Sequence, residues 1–344
     1  MVHCEKQQAR IVVICAQRST IKLTFVLWLP VCALPSGIFS ATFAVLHCSK
    51  KQLTHRVFLA TLPPRFFRTI CRVYQALEIG DRKTQSPSTW DSALELPRVV
   101  LEMTSLTYAW PLLATSPRGD GHAVFCLPGF TAGDQSLLVL RRFLNRLNYH
   151  TLPWQLGQNI GSYELQDQLL EHFQHVMADN PGKISLIGQS LGGIYARMLA
   201  RRWPERIRQV ITLSSPFASA SPESTNALVG RLFRYLSGMS RAEMREQMQA
   251  DPARALPVPS TAIYTKTDGV VHWHTCLDYT GEQAENIEVL GSHSGMGFNP
   301  LVLHVLADRL AQPEDHWQPF ERTQGCRGFM FPKPATRVDV DARI

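Results

Sequence analysis

Short apolar runs alternate with longer amphipathic segments along the chain from residue 121 onward. The short runs are bounded by Gly, Pro, Asn and charged residues, which is typical of buried strands. The predicted strands lie at 123–127, 149–152, 183–188, 209–213, 261–265 and 286–290. Apolar residues at helical spacing predict helices over 135–147, 163–178 and 191–202, and another that begins after Pro300. A repeated strand-then-helix order predicts the α/β class, with a mostly parallel sheet flanked by helices on both faces.

Two segments interrupt this alternation. Apolar residues at helical spacing begin near Asp91 and predict a helix before the first clear strand. Between the fourth and fifth strands, an insertion at about 217–257 holds an amphipathic stretch, 228–236, and a helix start marked by the capping box Ser240-x-x-Glu243. A helical insertion at the carboxyl ends of the strands predicts a cap or lid.

Composition divides the chain into three predicted parts. These are an N-terminal extension over 1–90, a main domain over 91–312 and a C-terminal tail over 313–344. Within the extension, residues 23–49 contain no Asp, Glu, Lys or Arg, and such a run is long enough to cross a bilayer. Because prolines interrupt the run and it begins unusually late for a signal, three interpretations stay open: a membrane anchor, an export signal, or an extension that includes translated upstream sequence.

The charge pattern changes the list of expected partners. The chain has a formal net charge of +7, but its Lys and Arg residues are scattered in ones and twos without interleaved aromatic residues. We therefore predict no nucleic-acid partner. The eight cysteines contain no CxxC pair and no scaffold spacing, so reduced thiols are the default expectation and the redox compartment stays open.

The strongest chemical signal is Gly188-Gln189-Ser190-Leu191-Gly192-Gly193, a GxSxG at a predicted strand-to-helix turn. Such a turn forces the serine into a strained conformation that projects its hydroxyl, and the flanking glycines let strand and helix approach closely. The alternative is a glycine-rich turn with an incidental serine. The context favours Ser190 as a nucleophile.

A serine hydroxyl is a weak nucleophile and requires a base, which in turn requires an orienting group. Asp268 directly follows the strand at 261–265, and His293 lies in the glycine-containing loop after the strand at 286–290. We predict Asp268 as the acid and His293 as the general base. In the alternative interpretation, both are ordinary loop residues.

Other candidates for these roles are weaker. Asp278 and Glu282 are rival acids, and His272 and His274 have an HxH spacing that could ligate zinc. Because no third ligand lies nearby in the sequence, we predict no metal site, and nothing indicates a cofactor.

The developing oxyanion requires hydrogen-bond donors. The loop after the first clear strand reads Leu127-Pro128-Gly129-Phe130-Thr131-Ala132-Gly133-Asp134. We predict the backbone N–H groups of Phe130 and Leu191 as the oxyanion hole, with Gly129 allowing a tight backbone approach.

Together, Pro128-Gly129-Phe130, the GxSxG segment, Thr267-Asp268-Gly269 and Ser292-His293-Ser294-Gly295 resemble an α/β hydrolase of the lipase/esterase kind over residues 115–312. The resemblance implies an eight-stranded, mostly parallel sheet and an acyl-enzyme on Ser190. One departure is Pro128, where many lipases have His before the glycine, and this leaves the second oxyanion donor less defined.

The expected function is hydrolysis of carboxylic esters, with a small-molecule or lipid-like ester as substrate. The apolar stretch 228–236 suggests an acyl chain, although such a stripe also suits a packed core. Thioesterase, peptidase or acyltransferase chemistry would use the same residues, and a catalytically silent binding module or a membrane-tethered scaffold are alternatives from other classes. The catalytic domain is expected to be soluble and either anchored by residues 23–49 or cytoplasmic; the oligomeric state stays open.

Overall fold

The computed structural model describes residues 87–218, 225, 227–238, 255–279, 281–323 and 327–336. The segment at 23–49, most of the predicted N-terminal extension and the capping box at Ser240 and Glu243 lie outside the described residues. The expectations made for them stay predictions.

Six parallel strands form one sheet in the part of the chain that the structure describes, in the order β2-β1-β3-β4-β5-β6. The strands are β1 (Ala123–Leu127), β2 (His150–Leu152), β3 (Ile184–Gln189), β4 (Ile207–Leu213), β5 (Ser260–Tyr264) and β6 (Ala284–Glu288). All six strands and the α/β-hydrolase fold class are as predicted. The expectation of eight strands is wrong for the described residues, because the chain enters β1 from a long helix and not from further strands.

Helices cover both faces of the sheet. They are α1 (Thr89–Leu113), α2 (Leu138–Arg146), α3 (Tyr163–Asp179), α4 (Leu191–Arg202), α5 (Ala227–Ser237), α6 (Pro300–Leu310) and the short α7 (Arg327–Met330). Polar N-caps begin three of them: the side chains of Ser88, Ser162 and Asn299 accept hydrogen bonds from backbone N–H groups of the first turns of α1, α3 and α6. The helix α5 is the described part of the predicted cap.

Two apolar cores lie on opposite faces of the sheet because strand side chains alternate. Val124 and Cys126 of β1 belong to the core that contains residues of α1, α2 and α6. Phe125 and Leu127 of the same strand belong to the core with α3 and α4. Both faces of the sheet are therefore covered, as a parallel sheet requires.

The helix α1 is unusual because it buries charged side chains. Its buried residues include Glu95, Arg98 and Glu102, whereas Leu96, Val100 and Met103 are exposed. Part of the apolar spacing that predicts the helix thus lies on its outer side. The buried charges contact the loops at the carboxyl edge of the sheet.

Part of the predicted C-terminal tail packs against the domain. Phe320, Met330 and Phe331 are buried in the same core as α6, and the Ala335 N–H donates to Tyr264 Oη at 2.7 Å. These contacts fix residues beyond 312 against the sheet.

None of the helices within the described ranges is long and apolar enough to span a membrane.

The cysteines in those ranges, Cys126 and Cys276, are buried free thiols.

Candidate active site

Ser190 lies at the turn between β3 and α4, at the carboxyl edge of the sheet. Its backbone has φ 52° and ψ −120°, a conformation that L-residues seldom adopt. The Ser190 N–H donates to the carbonyl of Leu213 on the neighbouring strand β4 at 2.9 Å, and Ser190 O accepts from the Gly193 N–H at 3.0 Å. This strain is the geometry that the GxSxG motif predicts for a projecting serine.

Two glycines make this turn sterically feasible. A Cβ on Gly188 would lie 2.5 Å from Gly193 Cα and would also meet the carbonyl of Gly192. A Cβ on Gly192 would lie 2.7 Å from Pro128 O and would also meet the carbonyl of Leu127. Because these obstacles are backbone atoms, neither position tolerates a larger residue without a shift of β3, of α4 or of the loop after β1.

Asp268 and His293 come from loops after β5 and β6 and meet at the same edge. Asp268 Oδ2 lies 2.7 Å from His293 Nδ1, and both side chains are buried. The other carboxylate oxygen, Oδ1, accepts from the N–H groups of Val270 and Val271 at 2.9 and 2.8 Å. With its oxygens held in this way, Asp268 fixes the orientation of the imidazole through Nδ1. The other ring nitrogen, Nε2, does not take part in this hydrogen bond.

The electrostatics around His293 favour its protonated form. Burial acts to lower the pKa of His293, but the charge of Asp268, the hydrogen bond to it and the charge of Glu95 raise it, so that the pKa lies above its ordinary value. A general base must be neutral to accept a proton. The acidic limb of any activity that depends on His293 is therefore expected above about pH 6.5.

Gln189 links the turn of Ser190 to the loop of His293. The structure has no hydrogen bond between Ser190 Oγ and His293 Nε2, although the Gln189 side chain donates to His293 O at 3.1 Å. Catalytic hydrogen bonds are often long before substrate binds. Sequence reasoning gave Gln189 no role, and the only signal is its position between Gly188 and Ser190 in the motif.

The predicted oxyanion loop approaches Ser190 closely. A Cβ on Gly129 would lie 3.2 Å from Ser190 Cβ, which explains the need for glycine there. Among the described residues, the backbone N–H groups of Phe130 and Leu191 have no hydrogen-bond partner. Both donors are thus available for a developing negative charge.

Asn159 supports this loop. Its side-chain amide donates to Pro128 O at 2.8 Å, and its backbone exchanges hydrogen bonds with Thr131 and Ala132 at 2.7 and 2.8 Å. Asn159 is fully buried. No local pattern in the sequence indicates this contact, which joins the loop after β2 to the predicted oxyanion loop.

An aromatic residue of the cap covers the same loop. The rings of Phe233 in α5 and Phe130 lie 4.9 Å apart. A Cβ on Gly161 would lie 2.6 Å from the Phe233 ring and 3.2 Å from Leu191 Cδ2. Phe233 therefore forms an apolar wall beside both predicted oxyanion donors.

A family model described as a PGAP1-like alpha/beta domain matches residues 162–290. The matched range includes Ser190 and Asp268 and ends just before the loop of His293. This match agrees with the sheet order and the strained serine turn described above. The chain has the α/β-hydrolase fold.

Solved structures with which this α/β hydrolase aligns include a Paleococcus ferrophilus monoacylglycerol lipase, at 15% identity over 56% of this chain and 96% of that chain, with a TM-score of 0.42. Lipase B of Aspergillus fumigatus aligns at 15% identity over 59% and 56% of the two chains, with a TM-score of 0.43. The mouse alpha/beta hydrolase domain-containing protein 10 aligns at 15% identity over 56% and 88%, with a TM-score of 0.41. No curated protein sequence matches the chain.

The rival acids predicted from the sequence have other surroundings. Asp278 is fully buried and forms an ion pair with Arg197 of α4 at 2.7 Å, with a further hydrogen bond from Ser260 Oγ at 2.9 Å. Glu282 is exposed. Of the three acids, Asp268 is the one hydrogen-bonded to His293.

The HxH pair does not form a metal centre within the described residues. The rings of His272 and His274 pack edge to face at 4.5 Å, and no group of three or more His, Cys, Asp or Glu residues in the described ranges could hold a metal ion. Burial lowers the pKa of His272.

Proposed function

We propose that this α/β hydrolase cleaves carboxylic esters through an acyl-enzyme on Ser190. The observation that carries the proposal is the buried hydrogen bond of 2.7 Å between Asp268 and His293, at the sheet edge where the strained Ser190 projects. Acyl transfer requires a nucleophile, a base and an acid that orients the base, and these three groups follow the ends of β3, β6 and β5.

In the proposed reaction, Ser190 Oγ attacks the ester carbonyl carbon while His293 Nε2 takes the hydroxyl proton. The carbonyl oxygen becomes an oxyanion, which accepts hydrogen bonds from the N–H groups of Phe130 and Leu191. Collapse of the tetrahedral intermediate breaks the bond to the alcohol oxygen, which receives the proton from His293. Water then attacks the acyl-enzyme with His293 again as base, releasing the acid and restoring Ser190. Asp268 stays ionised throughout and fixes the imidazole tautomer.

The aromatic wall formed by Phe130 and Phe233 favours a substrate with an apolar acyl group. The Phe233 ring, 4.9 Å from that of Phe130, provides an apolar surface next to the proposed oxyanion donors. An acyl chain attached to the carbonyl carbon would lie along this surface. Thioesters present the same carbonyl to the same groups, so the ester and thioester classes differ only in the leaving group.

The test is hydrolysis of p-nitrophenyl esters of graded chain length by the full chain and by its Ser190→Ala variant, with acyl thioesters of the same lengths in parallel. We expect hydrolysis by the wild-type chain, loss of at least about 1000-fold in the variant, and a preference for acyl chains longer than acetyl. A fluorophosphonate adduct on the Ser190 peptide, identified by mass spectrometry, would identify the nucleophile independently of substrate choice.

Each outcome decides between the alternatives. Equal rates in the wild-type chain and the variant would reject Ser190 as the nucleophile. No turnover and no adduct would favour a silent binding module. Faster turnover of thioesters, or transfer of the acyl group to an added alcohol, would replace ester hydrolysis by thioesterase or acyltransferase chemistry.

We further propose that residues 23–49 associate with membranes. Their length and lack of charged residues support this. Deletion of residues 23–49 is expected to move the chain from the membrane pellet to the supernatant after fractionation, and an unchanged distribution would reject the proposal.

A further inference from the structure

The helix α1 presents a row of polar side chains to the loops that carry Asp268 and His293. The row, called here the polar ridge, consists of Ser92, Glu95, Arg98 and Glu102, which recur at helical spacing on one side. The opposite side of the helix carries Leu96, Val100 and Met103, all exposed. The first half of α1 therefore buries charges and exposes apolar residues, the reverse of ordinary amphipathic packing, whereas its second half buries Ala109 and Leu113 in the core.

Three members of the ridge bind the turn around Asp268. Ser92 Oγ donates to Gly269 O at 2.7 Å, and Glu95 Oε2 accepts from the Gly269 N–H at 3.3 Å. Arg98 Nη1 donates to Thr267 O at 2.7 Å. The residues directly before and after Asp268 are therefore both held by α1.

Glu95 and Glu102 bind the loop around His293 in the same way. Glu95 Oε1 accepts from the Ser294 N–H at 2.8 Å, and Glu102 Oε1 accepts from the Ser292 N–H at 2.8 Å. Ser292 Oγ also donates to Glu102 Oε2. A Cβ on Gly291 would lie 2.5 Å from Glu102 Oε1, so this loop is closely fitted to the carboxylate. The neighbours of His293 on both sides are thus held by α1.

Burial of these groups is difficult to explain as packing alone. Burial of a charged group carries a large desolvation cost, and an apolar helix face would cover the same loops at a lower cost. Apolar residues could not accept the loop N–H groups, however, and an unsatisfied buried N–H is itself destabilising. The ridge therefore supplies acceptors at defined points of the two loops, which supports a geometric role.

We propose that the polar ridge of α1 is a positioning element, in which Glu95 holds the acid and base loops together and so sets the distance between Asp268 and His293. Glu95 is the residue that bonds to both loops, through Gly269 and Ser294. Glu102 binds the His293 loop through Ser292, and Arg98 and Ser92 bind the Asp268 turn. The inference rests on the proposed ester hydrolysis for its kinetic test.

The charge of Glu95 gives this role a specific signature. Asp268 and Glu95 are the acidic groups whose charges raise the pKa of His293, against the effect of burial. The pKa of Glu95 is itself raised by burial and by the charge of Asp268, whereas the charge of His293 lowers it. Arg98 is the cation of the ridge, and it pairs with Asp91 at 3.0 Å. Glu102 bonds to the loop of His293, but its charge is not one of the causes of the raised pKa of His293.

The experiment compares full-length Glu95→Gln, Glu95→Ala, Glu102→Gln and Leu96→Gln with the wild-type chain, under conditions in which circular dichroism reports each as folded. Leu96 is the matched control, since it is next to Glu95 in the sequence but its side chain is 75% exposed to solvent. We expect Glu95→Ala to lower kcat about 10- to 100-fold with little change in KM, because the base and acid lose their set distance. Glu95→Gln keeps one of the two acceptors and so holds only one of the two loops, and it is expected to recover part of kcat.

The pH dependence of kcat/KM separates positioning from simple stabilisation. Glu95→Gln removes a negative charge, so the pKa of His293 falls and the acidic limb is expected to move to lower pH by about half a unit or more. Glu102→Gln and Leu96→Gln are expected to leave this limb in place. A wild-type kcat in folded Glu95→Ala, or an unmoved limb in Glu95→Gln, would overturn the proposal.

A readout that does not require turnover separates this inference from the proposed function. In the Ser190→Ala background, an NMR titration of the His293 imidazole is expected to give a lower pKa with Glu95→Gln than without it. If no ester or thioester is cleaved but this pKa falls, the proposed function fails and the positioning role stands. If esters are cleaved and the pKa does not move, the positioning role fails alone.

Discussion

Asp268 and Asp278 are both buried, but different groups hold them. Asp268 accepts from two backbone N–H groups and bonds to His293. Asp278 is paired with the buried guanidinium of Arg197, which also lies 4.0 Å over the ring of Phe217. The first arrangement joins a carboxylate to the candidate base, and the second pairs two opposite charges in the core.

Substitution of each acid by its amide is expected to separate these roles. Asp268→Asn should lower kcat about 10⁴-fold at nearly unchanged stability, because the amide favours the wrong imidazole tautomer. Asp278→Asn should lower the free energy of unfolding by about 3 kcal/mol or more, because Arg197 loses its charged partner, while kcat per folded molecule is kept. Urea unfolding and ester hydrolysis measure the two effects, and the reverse pattern would make Asp278 the catalytic acid.

Glu102 makes the stability of the protein depend on pH. Burial raises its pKa from 4.5 to about 7, against the lowering effect of its hydrogen bonds with Ser292 and Asn299. In this pH range the folded state binds more protons than the unfolded state, so stability present below about pH 4.5 is lost as pH rises through about 7. The difference corresponds to about 3 kcal/mol.

Glu102→Gln is expected to abolish this loss, since a neutral amide keeps the shape and has no proton to lose. The free energy of unfolding of the variant, relative to wild type, should therefore increase between pH 4.5 and 8, measured by urea unfolding. Glu171→Gln, on an exposed position of α3, is the control and should show no such trend. A constant difference between Glu102→Gln and wild type across this range would contradict the expectation.

At the scale of elements, the junction between β3 and α4 depends on the absence of side chains. Gly188 lies on β3 against the backbone of Gly192 and Gly193, at the point where the strand turns into the helix. The close approach brings the Ser190 backbone into its strained conformation. The tight packing of β3 against α4 and the backbone strain at Ser190 therefore have the same origin.

Gly188→Ala is expected to destabilise the fold by about 3 kcal/mol or more, because the added methyl group meets backbone atoms that cannot rotate away. Gly182→Ala is the matched control, since a Cβ there meets nothing within 4 Å. Urea unfolding of both variants measures the effect. Equal stability of the two would show that the turn can relax, and the steric account of the motif would be wrong.

At the scale of the whole molecule, the C-terminal segment completes the core beside α6. The ring of Phe331 lies 4.9 Å from that of Phe320 and 6.0 Å from the imidazole of His304 in α6. The Phe320 N–H donates to Glu285 at 2.7 Å, which fixes the segment to β6. The segment therefore contributes to the same core as the sheet.

A chain that ends at Gln312 is expected to lose about 4 kcal/mol or more of stability, because burial of each large apolar side chain contributes about 1.5–3 kcal/mol. A chain that ends at Thr336 keeps all of these contacts and should match the full chain. Thermal and urea unfolding of the two truncations provide the measurement. Similar stability of the shorter chain would mean that the segment lies on a core that is already complete.

Local pattern predicts much of this fold because strand and helix periodicity are properties of neighbouring residues. The alternation of buried runs and amphipathic segments indicates all six strands, and β6 differs from its predicted range by two residues at each end. The GxSxG turn is predictable for the same reason, since its strain and its glycines lie within six consecutive positions. The types and chain order of the candidate nucleophile, acid and base also follow from their positions after the strands β3, β5 and β6.

Other features depend on contacts between residues far apart in the chain, which no local pattern records. Glu102 and Ser292 are 190 positions apart, and α1 exposes Leu96, Val100 and Met103 of its apolar pattern while it buries charged residues. Only the folded chain distinguishes Asp268 from Asp278, because the choice depends on which carboxylate reaches His293 and which reaches Arg197. Sequence periodicity specifies which segments become strands and helices, whereas tertiary packing decides which polar groups share a desolvated edge, since that depends on distance in space.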